Sequence, residues 1–143
     1  MLAYPASIAP TPESAGFTVR FRDLPEVITF VDTEGEVLAQ AADALNEAIA
    51  ERIAEREDIP LASPPRQDER LSTVPTQTAL KALLWRETKG AGWRRADLAR
   101  ALRWNQRQVD RLFDTRHASR LDQIDAALDA LGKRLVIEVR GTA

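Results

Sequence analysis

Apolar and polar positions alternate along the start of the chain in a pattern typical of short strands. Three apolar runs, at residues 2–9, 16–22 and 27–31, are separated by turn residues. Within the second run, Phe17, Val19 and Phe21 alternate with polar residues. An alternation with a period of two places the apolar side chains on one face of a strand. The pattern therefore predicts three strands in this part of the chain.

The apolar spacing becomes helical after residue 33. Thr33 and Glu36 have the spacing of a capping box, and one apolar stripe follows: Val37, Leu38, Ala41, Ala42, Leu45, Ala48, Ile49 and Ile53. The opposite side of this predicted helix carries acidic residues, among them Asp43, Glu47, Glu51 and Glu55. Such a helix packs its apolar stripe on the sheet and turns its acidic side to water or to a basic partner.

A proline-rich polar stretch follows the predicted helix. Pro60, Pro64 and Pro65 predict a loop, and the alternation at residues 70–74 predicts one more short strand. The order β-β-β-α-β predicts a small α+β unit over residues 1–75, in which residues 60–75 hold the linker loop and the last strand. We place the boundary with the second unit near Pro75.

Residues 76–143 are predicted to be helical up to their last ten positions. One helix runs from a cap at Thr76 to Gly90, and a second covers residues 94–102. Asn105 is placed to cap a third helix that runs to Phe113. A pattern like a capping box from Ser119 to Asp122 precedes a fourth helix, which ends at Gly132.

The chain ends in a β-branched run at residues 133–140, with no strand beside it in the helical unit. Pairing with the same strand of a second chain would satisfy its backbone and bury Leu135, Ile137 and Val139. The run therefore predicts a homodimer or a higher homo-oligomer. Pairing onto the N-terminal sheet is the alternative.

Charge is divided unequally between the two predicted units. The net charge of the chain is −2, but residues 1–75 hold six Lys and Arg against 14 Asp and Glu, a net charge of −8. Residues 76–143 carry a net charge of +6, and residues 81–120 alone hold 11 basic against four acidic side chains. Such a basic concentration attracts phosphate backbones. A solvated basic helix face is the alternative.

The composition excludes several kinds of chemistry. The chain has no cysteine and a single histidine, His117, so we expect no disulfide, no thiolate metal site, no cysteine nucleophile and no cofactor. It has no apolar run long enough for a membrane span and no signal peptide at its start, which predicts a cytoplasmic protein. Trp85, Trp93 and Trp104 are predicted to pack in the core rather than stack on bases.

Several short motifs of the first unit resemble the HicB family of toxin-antitoxin antitoxins. They are Phe21-Arg22-Asp23-Leu24-Pro25-Glu26, then Thr29 with Asp32-Thr33 before the helix, and Ile59-Pro60 with Ser63-Pro64 after it. The sequence departs from the family at Arg22, where Pro is usual, and at Val31, where Gly is usual. Gly35 also weakens the first helical turn. The resemblance covers roughly residues 2–75.

The resemblance implies a degenerate RNase H-like fold that binds and masks a small basic toxin, HicA, which is an mRNA-cleaving ribonuclease. An active RNase H-type nuclease needs clustered carboxylates that hold metal, including one in its first strand. Residues 4–8 contain no carboxylate. Asp23 and Asp32 stand where Asp is favoured for backbone hydrogen bonding. We therefore expect no catalytic residue and no metal ligand.

Residues 96–112 resemble the two-helix signature of Cro/repressor-like helix-turn-helix domains, with Arg103 where that family's turn often has Gly. By matching positions, Gln106 and Arg107 would reach base edges, and Gln108 and Arg111 lie further along the same helix. Asn105 would cap that helix and contact phosphate as a second use, and Arg95 resembles the family's phosphate anchor. Arg116 and Arg120 are weaker candidates on flanking loops, together with Arg94 and His117.

These inferences predict an antitoxin that neutralises a HicA-type toxin through residues 1–75 and represses its own operon by binding double-stranded operator DNA through residues 76–143. Two other functions were weighed. The first is a stand-alone transcriptional regulator whose N-terminal domain senses a small ligand. The second is a metal-dependent nuclease guided by a helix-turn-helix, against which the missing first-strand carboxylate argues.

Overall fold

A computed structural model describes residues 2–141 of the chain. Four strands, β1 (Ala3–Pro10), β2 (Phe17–Phe21), β3 (Ile28–Val31) and β4 (Glu69–Thr73), combine with five α-helices. The helices are α1 (Val37–Ala54), α2 (Thr76–Gly90), α3 (Arg95–Leu102), α4 (Gln106–Leu112) and α5 (Leu121–Ala130). The predicted order β-β-β-α-β followed by helices, and with it the mixed α+β class, is confirmed.

The four strands form one antiparallel sheet in the order β3-β2-β1-β4. In the middle of the sheet, Ala6 of β1 pairs with Phe21 of β2 on one side and with Arg70 of β4 on the other. The apolar stripe of α1 packs against this sheet, and Leu45 and Ile49 are fully buried beside its strands. Leu38, which was predicted as part of this stripe, is 52% exposed. The apolar residues that alternate along the strands and those at helical spacing after residue 33 thus pack together in one core.

The entry to α1 differs from the prediction. A 3₁₀ turn, Glu34–Glu36, precedes the helix, which begins only at Val37. The Thr33 hydroxyl donates to the Glu36 carboxylate at 2.8 Å and caps no backbone N–H. The predicted capping box is therefore wrong, because its two side chains bond to each other instead of to the helix terminus.

Helix α2 joins the sheet unit to the remaining helices. The Thr78 hydroxyl donates to Asn46 Oδ1 on α1 at 2.6 Å, and Trp85 Nε1 donates to the Glu57 carbonyl at 2.8 Å. The Trp85 ring also meets the ring of Phe113 edge-on, with centroids 5.5 Å apart. The predicted core role of Trp85 is confirmed, and one continuous hydrophobic cluster runs from the sheet to α5.

A three-residue turn, residues 103–105, connects α3 to α4. Arg103, its first residue, has the left-handed backbone conformation, with φ 56° and ψ 38°. Side chains other than glycine pay a steric cost of about 1 kcal/mol or more in that region. The sequence departure noted at Arg103 thus falls on a position whose backbone suits glycine.

Replacing Arg103 with glycine is expected to raise the free energy of unfolding by about 0.5 to 1 kcal/mol, because it removes the left-handed strain. Urea denaturation measures the change. Arg100→Gly is the matched control, since Arg100 is also exposed but lies inside α3. That control should lower stability by about 1 kcal/mol, as glycine does within a helix. A loss of stability in Arg103→Gly would contradict the strain argument.

The C-terminal segment, residues 133–141, has no secondary structure in the single chain. Val136, Ile137 and Val139 are 86%, 75% and 92% exposed. The sheet takes no strand from this segment, so the predicted terminal strand does not form within the described part of one chain, and neither does the alternative pairing onto the N-terminal sheet. Between residues 2 and 141, no helix combines the length and the apolar character that crossing a membrane requires.

Candidate functional site

The first turn of α4 has a complete cap. Asn105 Oδ1 accepts from the Gln108 backbone N–H at 2.9 Å, and Gln108 Oε1 accepts from the Asn105 N–H at 3.0 Å. The predicted N-cap at Asn105 is confirmed. The reciprocal bond turns the Gln108 side chain back towards the turn, so its carbonyl oxygen is already occupied within the chain.

Gln106, Arg107 and Arg111 lie on the exposed side of α4. Arg107 and Arg111 are four residues apart, which places them on one helix face. Gln106 Nε2 donates to Asp110 Oδ1 at 3.0 Å, so this side chain is held along the helix surface. Among residues 2–141, Arg107 and Arg111 form no ion pair. Both guanidinium groups are therefore available to an outside partner.

Arg95 lies at the start of α3, but most of its side chain is buried between helices. Its guanidinium carbon is 5.0 Å from the Phe113 ring centroid and 5.8 Å from that of Trp85. Its Nη1 donates to Asp110 Oδ1 at 3.3 Å. Arg95 thus fastens the start of α3 to α4. Its predicted contact with phosphate stays a prediction.

The loop between α4 and α5 carries the two remaining candidates. The Arg116 side chain is exposed and forms no ion pair within residues 2–141, while its backbone N–H donates to Asp114 Oδ1 at 3.0 Å. Arg120 pairs with Asp122 through bonds of 3.1 and 3.0 Å. Of the flanking candidates, Arg94 pairs with Asp97. Among the predicted DNA-contacting residues, the exposed arginines without a carboxylate partner within residues 2–141 are therefore Arg107, Arg111 and Arg116.

The opposite charge covers the outer side of α1. Asp43, Glu47, Glu51 and Glu55 are all exposed, as the helical spacing predicts. A cleft of about 640 Å³ separates α1 from α3 and the end of α4, with Glu47 and Glu51 on one wall and Arg95 and Arg116 on the other. The acidic surface and the basic surface thus belong to different elements of the fold.

Lys81, one of the 11 basic residues between positions 81 and 120, does not contribute to the exposed basic surface. Lys81 is fully buried. Its Nζ donates to the carbonyls of Arg111 at 2.7 Å and Asp114 at 2.8 Å, and to Ser119 Oγ at 2.8 Å. Ser119 does not cap α5 as predicted, because its hydroxyl is buried in this cluster. Burial lowers the pKa of Lys81 to about 8, and the nearby Asp114 carboxylate opposes that shift.

This lowered pKa predicts a pH-dependent stability. Above about pH 8 the folded chain releases the Lys81 proton, whereas the unfolded chain holds it up to the ordinary value of 10.5. Stability rises with pH wherever the unfolded state binds more protons. The unfolding free energy of the wild type minus that of Lys81→Met should therefore rise by about 2 to 3 kcal/mol from about pH 7 to pH 10. Denaturation at both pH values measures this difference, and a flat difference would contradict it.

The carboxylate of Asp23 has structural contacts. Asp23 accepts from the Ser63 backbone N–H at 2.8 Å and from the Ser63 hydroxyl at 2.7 Å. It therefore anchors the loop that leads to β4, in line with its predicted backbone hydrogen bonding. Within the described part of the chain, no three His, Cys, Asp or Glu side chains are grouped so that they could hold a metal ion.

Both the sheet unit and the C-terminal helices are similar to known proteins. Residues 3–83 match the family model described as the HicB-like antitoxin of a bacterial toxin-antitoxin system. The chain belongs to the HicB antitoxin family. The match ends inside α2, so it includes the whole sheet unit and half of the helix that joins it to the rest. Members of this family are generally non-enzymatic regulatory proteins.

HicB relatives extend the similarity beyond that model. Antitoxin HicB of Escherichia coli strain K12 is 34% identical over 134 residues, which cover 94% of this chain and 96% of that protein. Antitoxin HicB 1 of Photorhabdus laumondii is 32% identical and covers 96% of this chain and 87% of its own length. A second antitoxin of that organism, HicB 2, is 36% identical over 86% of this chain and 87% of its own length. The similarity to HicB proteins therefore includes the basic helices.

Proposed function

We propose that this chain is the antitoxin of a HicAB-type pair. Its sheet unit, with a degenerate RNase H-like fold, neutralises a HicA-type mRNA-cleaving toxin, and its C-terminal helices repress the shared operon by binding operator DNA. The observation that carries the proposal is the segregation of exposed charge in a HicB family member. Acidic side chains cover α1, and unpaired arginines cover α4 and the loop after it.

Shape and charge of the sheet unit support the toxin-binding half. The family match covers this unit completely, and the relatives are named antitoxins. The row Asp43, Glu47 and Glu51 presents carboxylates to a basic partner along one side of α1. Charge complementarity of this kind speeds association and favours the correct partner. We propose that the toxin docks on this row and that inhibition is steric masking.

The geometry of α3 and α4 supports the DNA-binding half. Two helices joined by a three-residue turn are the arrangement of a helix-turn-helix, in which the second helix enters the major groove with its N-terminal residues at base edges. Here Gln106 and Arg107 are exposed at that end of α4. Gln suits adenine and Arg suits guanine. Arg111, Arg116 and Arg120 would contact the flanking backbone, with Asn105 and Arg95 at the phosphates nearest the helix ends.

A homodimer completes the proposal. Residues 133–141 expose Ile137 and Val139, and a β-branched segment with free backbone groups is suited to pairing with a copy of itself. A two-fold dimer places two copies of α4 for two half-sites of an operator.

The alternative function, a stand-alone transcriptional regulator, accounts for fewer of these observations. Relatives that cover 94% and 96% of this chain carry the antitoxin name, whereas a ligand-sensing regulator would have no toxin partner. The neighbouring reading frame is the simplest observation that distinguishes the antitoxin from the regulator. A small basic protein of roughly 60 to 80 residues encoded beside this chain supports the antitoxin, and its absence favours the regulator.

Reversing charge on α1 tests the toxin-binding half. Asp43→Lys with Glu47→Lys is expected to lower the amount of toxin that co-purifies at least about tenfold, because like charges across an interface repel. Asp125→Lys with Asp129→Lys on α5 is the matched control, since both residues are exposed and the change in net charge is the same. Equal losses in both variants would contradict docking on α1.

A further inference from the structure

Two side chains on one face of α2 hold the segment from the end of α4 to the start of α5. Gln77 and Lys81 are four residues apart on α2. Gln77 Nε2 donates to the Ser119 carbonyl at 2.9 Å, and Gln77 Oε1 accepts from the Ser119 N–H at 3.2 Å. Lys81 adds its three bonds to Arg111, Asp114 and Ser119. Residues 111–119 are thus fixed at both ends by one helix.

The Lys81 ammonium binds the chain at the C-terminal end of α4. The carbonyls at the C-terminus of a helix lack partners inside the helix and carry partial negative charge. The Lys81 ammonium lies against one carbonyl of the last helical turn, that of Arg111, and against the carbonyl of Asp114 two residues beyond the helix, and it is fully buried there. Lys81 makes no ion pair with a carboxylate in the described part of the chain.

Packing alone gives no reason for a cation at this position. Burying a charged amine is costly unless its hydrogen bonds are satisfied, and an apolar side chain of similar length would avoid that cost. The three bonds of Lys81 satisfy all three of its N–H groups. What the cation adds over an apolar residue is therefore a fixed geometry for the segment it binds.

The fixed segment carries exposed arginines. Arg111 and Arg116 extend from it to solvent, and Arg120 follows directly after Ser119. We infer that Lys81 is a positioning residue for DNA binding, which holds α4 and the loop after it so that their arginines meet the duplex together. This inference rests on the proposed DNA-binding function. Lys81 itself is buried and touches no DNA.

Residues three and four positions from Lys81 on the same helix contact the toxin-binding unit. Thr78 bonds to Asn46 on α1, and Trp85 bonds to the carbonyl of Glu57. Within residues 2–141, Lys81 bonds only to Arg111, Asp114 and Ser119, so removing its ammonium takes no partner from these two hydrogen bonds to the sheet unit. The two activities of the chain are therefore expected to respond differently to the substitution.

The test compares Lys81→Met with Lys133→Met in the full-length chain. Both substitutions remove one positive charge, but Lys133 is half exposed and pairs with Glu87 at 3.2 Å. Fluorescence anisotropy measures binding to a duplex from upstream of the chain's own reading frame and to a random duplex. In Lys81→Met we expect operator affinity to fall about tenfold or more, with a smaller operator-to-random ratio and unchanged toxin co-purification. Lys133→Met should retain the ratio.

A second variant keeps the test decisive if Lys81→Met does not fold. Ser119→Ala removes one acceptor of the ammonium without changing charge, and should lower the operator-to-random ratio in the same direction by a smaller factor. Wild-type ratios in the folded variants would overturn the inference and leave the proposed function standing. A wild-type chain that shows no operator preference would instead overturn the DNA-binding function, and the role of Lys81 with it.

Discussion

Replacing Gln106 and Arg107 together with alanine is expected to abolish the preference for operator DNA. Each bidentate contact to a base edge contributes about 1 to 3 kcal/mol of discrimination, so losing both should lower the operator-to-random ratio at least about 30-fold. Binding to random DNA should be largely spared, because it depends on phosphate contacts and varies steeply with salt. Anisotropy titrations on both duplexes at several salt concentrations measure the two effects separately.

The chain contains a matched control for that variant. Arg66 and Gln67 are adjacent and exposed in the loop before β4, away from the helical half. Arg66→Ala with Gln67→Ala therefore removes the same two side chains and the same charge. The control should bind both duplexes as the wild type does. An equal loss of affinity for operator and random DNA in Gln106→Ala with Arg107→Ala would refute the base-reading role.

Deleting residues 134–143 is expected to convert the proposed dimer into a monomer. The segment exposes Ile137 and Val139 and has no strand partner in the single chain. Two linked copies of the DNA-binding helices bind a two-site operator about 10² to 10⁴ times more tightly than one copy does. The monomer should therefore lose operator affinity by a factor in that range. Sedimentation equilibrium measures the mass, and anisotropy measures the affinity.

Two point variants test the same strand without shortening the chain. Alternation along a strand places Leu135, Ile137 and Val139 on one face and Val136 on the other. Ile137→Asp should therefore dissociate the dimer, whereas Val136→Asp should leave most of it intact. A dimer that persists after deletion of residues 134–143 would refute assembly through this segment.

Periodic patterns predicted most of the fold. The stripe from Val37 to Ile53 and the alternation at Phe17, Val19 and Phe21 are local signals, and each determined both the type of element and its buried face. The cap at Asn105 was also predictable, because donor and acceptor lie within three residues of each other. Most features that depend on neighbours in sequence were therefore found, and the capping box at Thr33 and Glu36 is an exception.

Features that depend on distant partners were missed. No local pattern marked Lys81 as buried, because its partners lie 30 to 38 positions away along the chain. Ser119 fits a helix cap by sequence, but it bonds to Gln77, 42 positions away. Arg95 occupies the position of a phosphate anchor, and only the folded chain stacks it on Phe113. No spacing rule within one helix can report such contacts.

Growth rescue tests the central claim most directly. The proposed toxin from the neighbouring reading frame is expressed with the wild type or with Asp43→Lys and Glu47→Lys, and colony formation is counted. The proposed antitoxin function predicts that the toxin alone arrests growth, that the wild type restores growth and co-purifies with the toxin, and that the charge-reversed chain restores growth poorly. Growth arrest that persists in the presence of the folded wild-type chain would contradict it.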